Sequence, residues 1–267
     1  MNETTYFFTF GDSYTSTGFN PHGTYPSAEN PMGNPSLGEG TSAGGINWVG
    51  YLTAVLNTSL MLNYNLAISG ACINNSVIRG VPGDLVSQVK SFAIHYASQP
   101  AWAPWRSENS AFAIWIGIND IGDSYMDADV DSTLPVLLEC YFNLVKDLYE
   151  ANARRFIFLN IPPTTRSPRI KGENHTAVHA EFVQRYNQAL KDKIHAFSQN
   201  HPDTSVLEHD TWTFMTEMLD NAPFYGFEDA ECQGTGCLWF NDYHPTSNVH
   251  ELLAADLLSR MRVVNGT

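Results

Sequence analysis

Ser13 stands in FGDSYTSTGF, directly after a run of aromatic, strand-forming residues, and His244 stands far down the chain in DYHPT. A serine hydroxyl becomes a nucleophile when a base lies within hydrogen-bond reach. Attack on an ester carbonyl also needs N–H donors aimed at the oxygen that takes up the negative charge. Two further stretches can supply them. In NLAISGA, Gly70 has no side chain to keep its backbone N–H from a substrate, and in WIGINDIG the side chain of Asn119 offers an NH2 group. With the Ser13 backbone N–H these make three candidate oxyanion donors. Each of GDS, SGA and GIND taken singly is a weak signal and reads first as turn vocabulary. Their weight comes from order and place.

Place depends on the elements around them. Short apolar runs at Tyr6–Phe10, Met61–Ala67, Phe112–Ile116, Phe156–Ile161 and Ser205–Glu208 read as buried parallel strands. Helical periodicity covers about Trp48–Leu56, Asp84–Tyr96, Val136–Ala153, His179–Ser198 and Asn248–Met261. The alternation predicts one α/β domain over residues 1–267, a mostly parallel sheet of about five strands covered by helices on both faces. In such sheets ligands gather beyond the carboxyl ends of the strands. Ser13, Gly70 and Asn119 each follow a predicted strand, and His244 leads into the last helix. Two Gly- and Pro-rich stretches, 19–47 and 221–241, exceed ordinary connections and could shape a pocket or be surface excursions.

The order GDS, SGA, GIND and a late YHP resembles the GDSL family of SGNH hydrolases, over nearly the whole chain. The resemblance implies a three-layer, flavodoxin-like fold and hydrolysis of esters by a serine without metal or cofactor. The four named residues would be Ser13, Gly70, Asn119 and His244. The G-x-S-x-G elbow of α/β-hydrolases is absent. Within the family, FGDSYTSTGF, GGINWVGYL, NLAISGA, WIGINDIG and DYHPTSNVHELLA are most similar to secreted fungal acetyl esterases of carbohydrate esterase family sixteen. That implies removal of acetyl groups from acetylated plant oligosaccharides such as xylo-oligosaccharides, through an acyl-enzyme on Ser13.

One position departs from the family pattern. Where an aspartate usually stands three residues before the histidine, this chain has Asn241. Three readings are open: Asp242 turns inward; Asn241 or a backbone carbonyl orients the imidazole in a dyad-like arrangement; or the protein is a weakened carbohydrate binder. Asp12 reads as structural, bonding to nearby backbone N–H groups. Trp115 lies in a strand and reads as core. Trp48 and Trp239 belong to the long insertions and are candidate sugar-binding platforms. His22, His95, His175, His179, His195, His201, His209 and His250 fall in helices or loops and read as solvated.

Composition narrows the partners. A net charge of -14, from 28 acidic and 14 basic residues, opposes capture of nucleic acid or anionic lipid. No stretch approaches the roughly 20 apolar residues of a membrane span. Asn-x-Ser/Thr acceptors at Asn2, Asn57, Asn74, Asn174 and Asn265 lean towards N-glycans and secretion, with the native export signal absent from this chain. Cys232 and Cys237 flank a Gly-rich loop that can close as a small disulfide. Cys72 and Cys140 fit no zinc spacing and read as buried thiols or a second disulfide. A lipase or phospholipase for longer acyl chains is the alternative enzyme, and a cytosolic esterase with accidental acceptors the alternative location.

Overall fold

The computed structural model describes residues 4–57, 59–127 and 130–265. Strands β1 (Thr5–Gly11), β2 (Met61–Asn65), β3 (Ser110–Trp115), β4 (Arg155–Leu159) and β5 (Ser205–His209) form one sheet in the order β2-β1-β3-β4-β5, with every pairing parallel. Aromatic and β-branched residues favour the pleated strand, and strands covered on both faces carry unbroken apolar runs. In β1 this produces a division of faces. Phe8 meets Phe92, Tyr96 and Trp105 on one side of the sheet, while Phe7 meets the Trp48 indole on the other.

The helices are α1 (Trp48–Gly50), which continues as a π-type turn over Tyr51–Val55, α2 (Leu85–His95), α3 (Ile118–Ser124), α4 (Val130–Glu150), α5 (Pro168–Lys171), α6 (Thr176–Asn200), α7 (Thr211–Asp220) and α8 (Ser247–Asn265). Neighbours α2, α4 and α6 pack side by side, and α8 packs against α1 and β5. The three-layer α/β arrangement expected from the sequence is the one observed. Sequence periodicity passed over α3, α5 and α7. The segment INDIGDS of α3 is poor in helix formers, and Ile118 and Ile121 hold it by burial in the core.

Residues 221–241 are more than a surface excursion. Leu238, Trp239, Ala222 and Phe227 join Met215, Met218 and Leu219 of α7 in a small second core. The Cys232–Cys237 disulfide closes this segment. Glu228 lies beside the pair, but both sulfurs are spent in the bond, so the three do not form a metal-ligand set. Cys72 and Cys140 are free thiols; the second disulfide is not formed.

The chain runs from β1 outward to β2 and then back across β1 to β3. The order reverses between β1 and β3, and this is where open α/β sheets leave a crevice at the carboxyl ends of their strands.

Candidate active site

Ser13 follows β1 and Asn119 opens α3 after β3, so the two flank that crevice. The turn carrying Ser13 is held from several directions. Gly11, at φ 149, brings its backbone so close to β3 that a Cβ there would lie 2.2 Å from the Trp115 carbonyl oxygen. The buried Gln88 amide accepts from Gly11 N at 2.9 Å and donates to Gly11 O at 2.8 Å. Beyond Ser13, the Thr15 carbonyl accepts from the amides of Asn47 and Asn65. Asp12 is fully buried and accepts from Tyr14 N at 3.0 Å, the structural role expected from the sequence.

His244 Nε2 lies 2.8 Å from Ser13 Oγ. On the other side of the ring, Asn241 Oδ1 lies 3.0 Å from Nδ1. The same oxygen accepts the backbone N–H groups of Tyr243 at 2.9 Å and His244 at 2.8 Å. Two main-chain donors fix which end of the amide is oxygen, so the ring nitrogen facing it must be the N–H. Nδ1 donates to Asn241, and Nε2 keeps a lone pair for the serine proton. Asp242, the rival orienter, is exposed, and its side chain makes no hydrogen bond among the described residues. A residue two before the histidine in this tight turn points away from the ring. Burial lowers the His244 pKa; the charge of Asp242 opposes this and that of Arg169 adds to it.

Gly70 has φ 79, which turns its N–H in a way L side chains disfavour. Neither Ser13 N–H nor Gly70 N–H donates to any other described residue. Asn119 spends one Nδ2 hydrogen on the Ala71 carbonyl at 2.9 Å and keeps the second. The next residue, Asp120, accepts Ile73 N on its carboxylate at 2.9 and 3.1 Å. Consecutive residues of α3 therefore grip the loop just after Gly70, at Ala71 and Ile73. Asp120 is fully buried, and burial pushes its pKa, like that of Asp12, up to about 7. Nothing in the sequence singled out Asp120; the signal was its place beside Asn119 in GIND.

The two proposed sugar platforms need correction. Trp48 and Trp239 have no exposed surface. The Trp48 indole lies between Phe7 and Trp115, with its N–H towards Thr15 Oγ1 at 3.3 Å, and so buttresses the serine turn from behind. Trp239 sits in the second core, donating to the Ala230 carbonyl. Trp115 is core, as expected. Three histidines read as solvated are buried: His179, His209 and His250. Each faces inward on its element, His179 against Thr165, His209 against Asp256 and His250 beside Tyr14.

A serine hydrogen-bonded to a correctly protonated imidazole and unspent N–H donors around one crevice can carry out acyl transfer. A sequence profile of the GDSL-like lipase/acylhydrolase family matches residues 7–257. The chain belongs to this family. An acetylesterase of Thermothelomyces thermophilus is 41% identical over 261 residues, covering 94% of this chain and 86% of the relative. A second acetylesterase, from Hypocrea jecorina, is 24% identical and covers 98% of this chain and 89% of its own. Among solved structures, the acetylxylan esterase Axe2 of Geobacillus stearothermophilus superposes with a TM-score of 0.56 at 17% identity, over 96% of this chain and 94% of that one. That likeness establishes the fold of this GDSL-family chain.

Proposed function

We propose that this protein is a serine carbohydrate esterase that removes acetyl groups from acetylated plant oligosaccharides such as xylo-oligosaccharides. The observation that carries the reading is the 2.8 Å approach of Ser13 Oγ to a His244 whose protonation is set by Asn241. The acetylesterase relative at 41% identity supports acetate as the acyl group. Ser13 attacks the acetyl carbonyl as Nε2 takes its proton. The oxyanion is held by the N–H groups of Ser13 and Gly70 and by the second Nδ2 hydrogen of Asn119. The imidazolium then protonates the departing sugar oxygen, and water activated by the same nitrogen releases acetate. Each step uses groups of the chain together with the ester and one water molecule.

Secretion fits the Cys232–Cys237 bond, because such bonds persist in oxidising compartments. No helix among the described residues is long and apolar enough to cross a membrane. Asn174 is exposed just before α6 and is the acceptor best placed for a glycan. Asn57 and Asn74 are half-buried, while Asn2 and the Asn265 side chain lie outside the described residues.

Ser13→Ala is expected to abolish acetate release from acetylated xylo-oligosaccharides and from 4-nitrophenyl acetate while leaving the folded protein intact by circular dichroism. Retained turnover overturns the mechanism. A series of 4-nitrophenyl esters tests the acyl group: activity that rises beyond butyrate refutes the acetyl reading and favours a lipase.

A further inference from the structure

With Trp48 and Trp239 buried, the sugar needs another place to bind, and one adjoins Asn119. A cavity whose empty space, open mouth included, is about 350 Å³ lies between α3 and α5, lined by Asn119, Asp123, Tyr125, Arg169, Glu173 and Tyr243. Asn119 and Asp123 are one helical turn apart and so share a face of α3. Any group extending from the oxyanion centre along that face meets Asp123 next. On the opposite wall, α5 begins with Ser167 as its cap and Pro168 in its first turn, which sets the direction of Arg169. The Arg169 backbone N–H donates to the Asp242 carbonyl at 2.8 Å, tying this wall to the turn that carries His244.

The Arg169 guanidinium lies 5.2 Å above the Tyr243 ring and makes no hydrogen bond to any described residue, so its donors remain available. Its charge is felt at both Asp123 and His244. The cavity therefore adjoins the oxyanion donor Asn119 on one side and, on the other, Tyr243, the residue just before the base. Glu173 accepts the Tyr125 hydroxyl at 2.7 Å on one oxygen and keeps the other. A planar donor facing two carboxylates does not suit an acyl chain, which would bury charge without compensation. It does suit vicinal hydroxyls, each of which donates and accepts.

We propose that this cavity is the subsite for the sugar ring that carries the ester. Arg169 donates to its free hydroxyls, and Asp123 and Glu173 accept from them. The proposal rests on the acetyl-sugar reading above and assigns the specificity of that reaction to α3 and α5. Arg169→Ala and Asp123→Ala are each compared with the unsubstituted protein on acetylated xylo-oligosaccharides and on 4-nitrophenyl acetate, whose leaving group has no hydroxyls to bind.

The expected result is a fall in kcat/KM on the sugar ester at least tenfold larger than on 4-nitrophenyl acetate, carried mainly by KM. Equal losses on the two esters, or no loss on the sugar ester, overturn the subsite; equal losses would mean that these residues act only through His244 or through the packing of α3. An unsubstituted protein that turns over 4-nitrophenyl acetate but no acetylated sugar overturns the sugar reading itself, a result distinct from the first two. Because Asp123 and Arg169 sit on different elements, a folding defect in one variant leaves the other to decide.

Discussion

Asn241→Asp adds a negative charge at the atom that now lies 3.0 Å from His244 Nδ1, with almost no change of shape. The two backbone N–H groups already bonded to that position favour the ionised carboxylate. Unit charges 3 Å apart at an effective dielectric of about 20 attract by about 5 kcal/mol, an upper bound for a site open on one side. Opposite charges at such range typically move a pKa by roughly one to three, or about 1.4 to 4 kcal/mol. The base works only when unprotonated, so the acid limb of kcat/KM follows the His244 pKa of the free enzyme. Burial holds that pKa below the ordinary histidine value, and the protein should stay active on the acid side of it. The added charge favours the imidazolium, raises the pKa and moves the acid limb upward by roughly one to three pH units. Above the limb a more basic imidazole should speed the reaction, by about threefold for each unit by which its pKa rises, if half the charge has developed at the transition state. Acetate release followed by pH-stat from pH 4 to 9 reads both effects. An acid limb that stays in place or moves downward refutes Asn241 as the group that orients His244.

Two further outcomes follow from the buried carboxylates. Asp120→Ala should lower kcat by roughly 10²-fold with little change in KM, because Gly70 N–H loses its place as an oxyanion donor, whereas Asp120→Asn keeps an acceptor for Ile73 N and should restore most of the rate; similar kinetics for the two variants refute the grip. Asp12 has a folded pKa of about 7 against an ordinary value of 3.8, so its contribution to stability is complete below 3.8 and is lost as pH rises through 7. Asp12→Asn should therefore stabilise the fold at pH 8 by up to about 4 kcal/mol and little at pH 4, and a gain in thermal midpoint that is equal at both pH values contradicts the burial argument.

What was readable in the sequence was the local part. Strand runs such as YFFTF declare themselves because a parallel strand buried on both faces must be apolar throughout, and the long helices α2, α4, α6 and α8 declare themselves by their period. The motifs following β1, β2 and β3 could be placed at strand ends from such patterns alone, which puts Ser13, Gly70 and Asn119 there and His244 ahead of the last helix. The short helix α3 was not legible, because burial of two isoleucines outweighs a sequence of poor helix formers.

Whatever depends on which way a side chain faces lay beyond one-dimensional pattern. Trp48 and Trp239 sit in Gly-rich surroundings that resemble surface loops, yet both face packed neighbours supplied by distant segments. The sequence by itself determined the strands, the long helices and the four motif residues, since these follow from periodicity and turn chemistry along the chain. Only the tertiary structure decided that Asn241 rather than Asp242 meets the imidazole, that Asp120 holds the Gly70 loop, and that Trp48 and Trp239 are buried while a charged cavity opens beside Asn119. The reason is physical: those choices are set by contacts between residues far apart in the chain, and by the turn that points one of two adjacent side chains at His244 and the other at water.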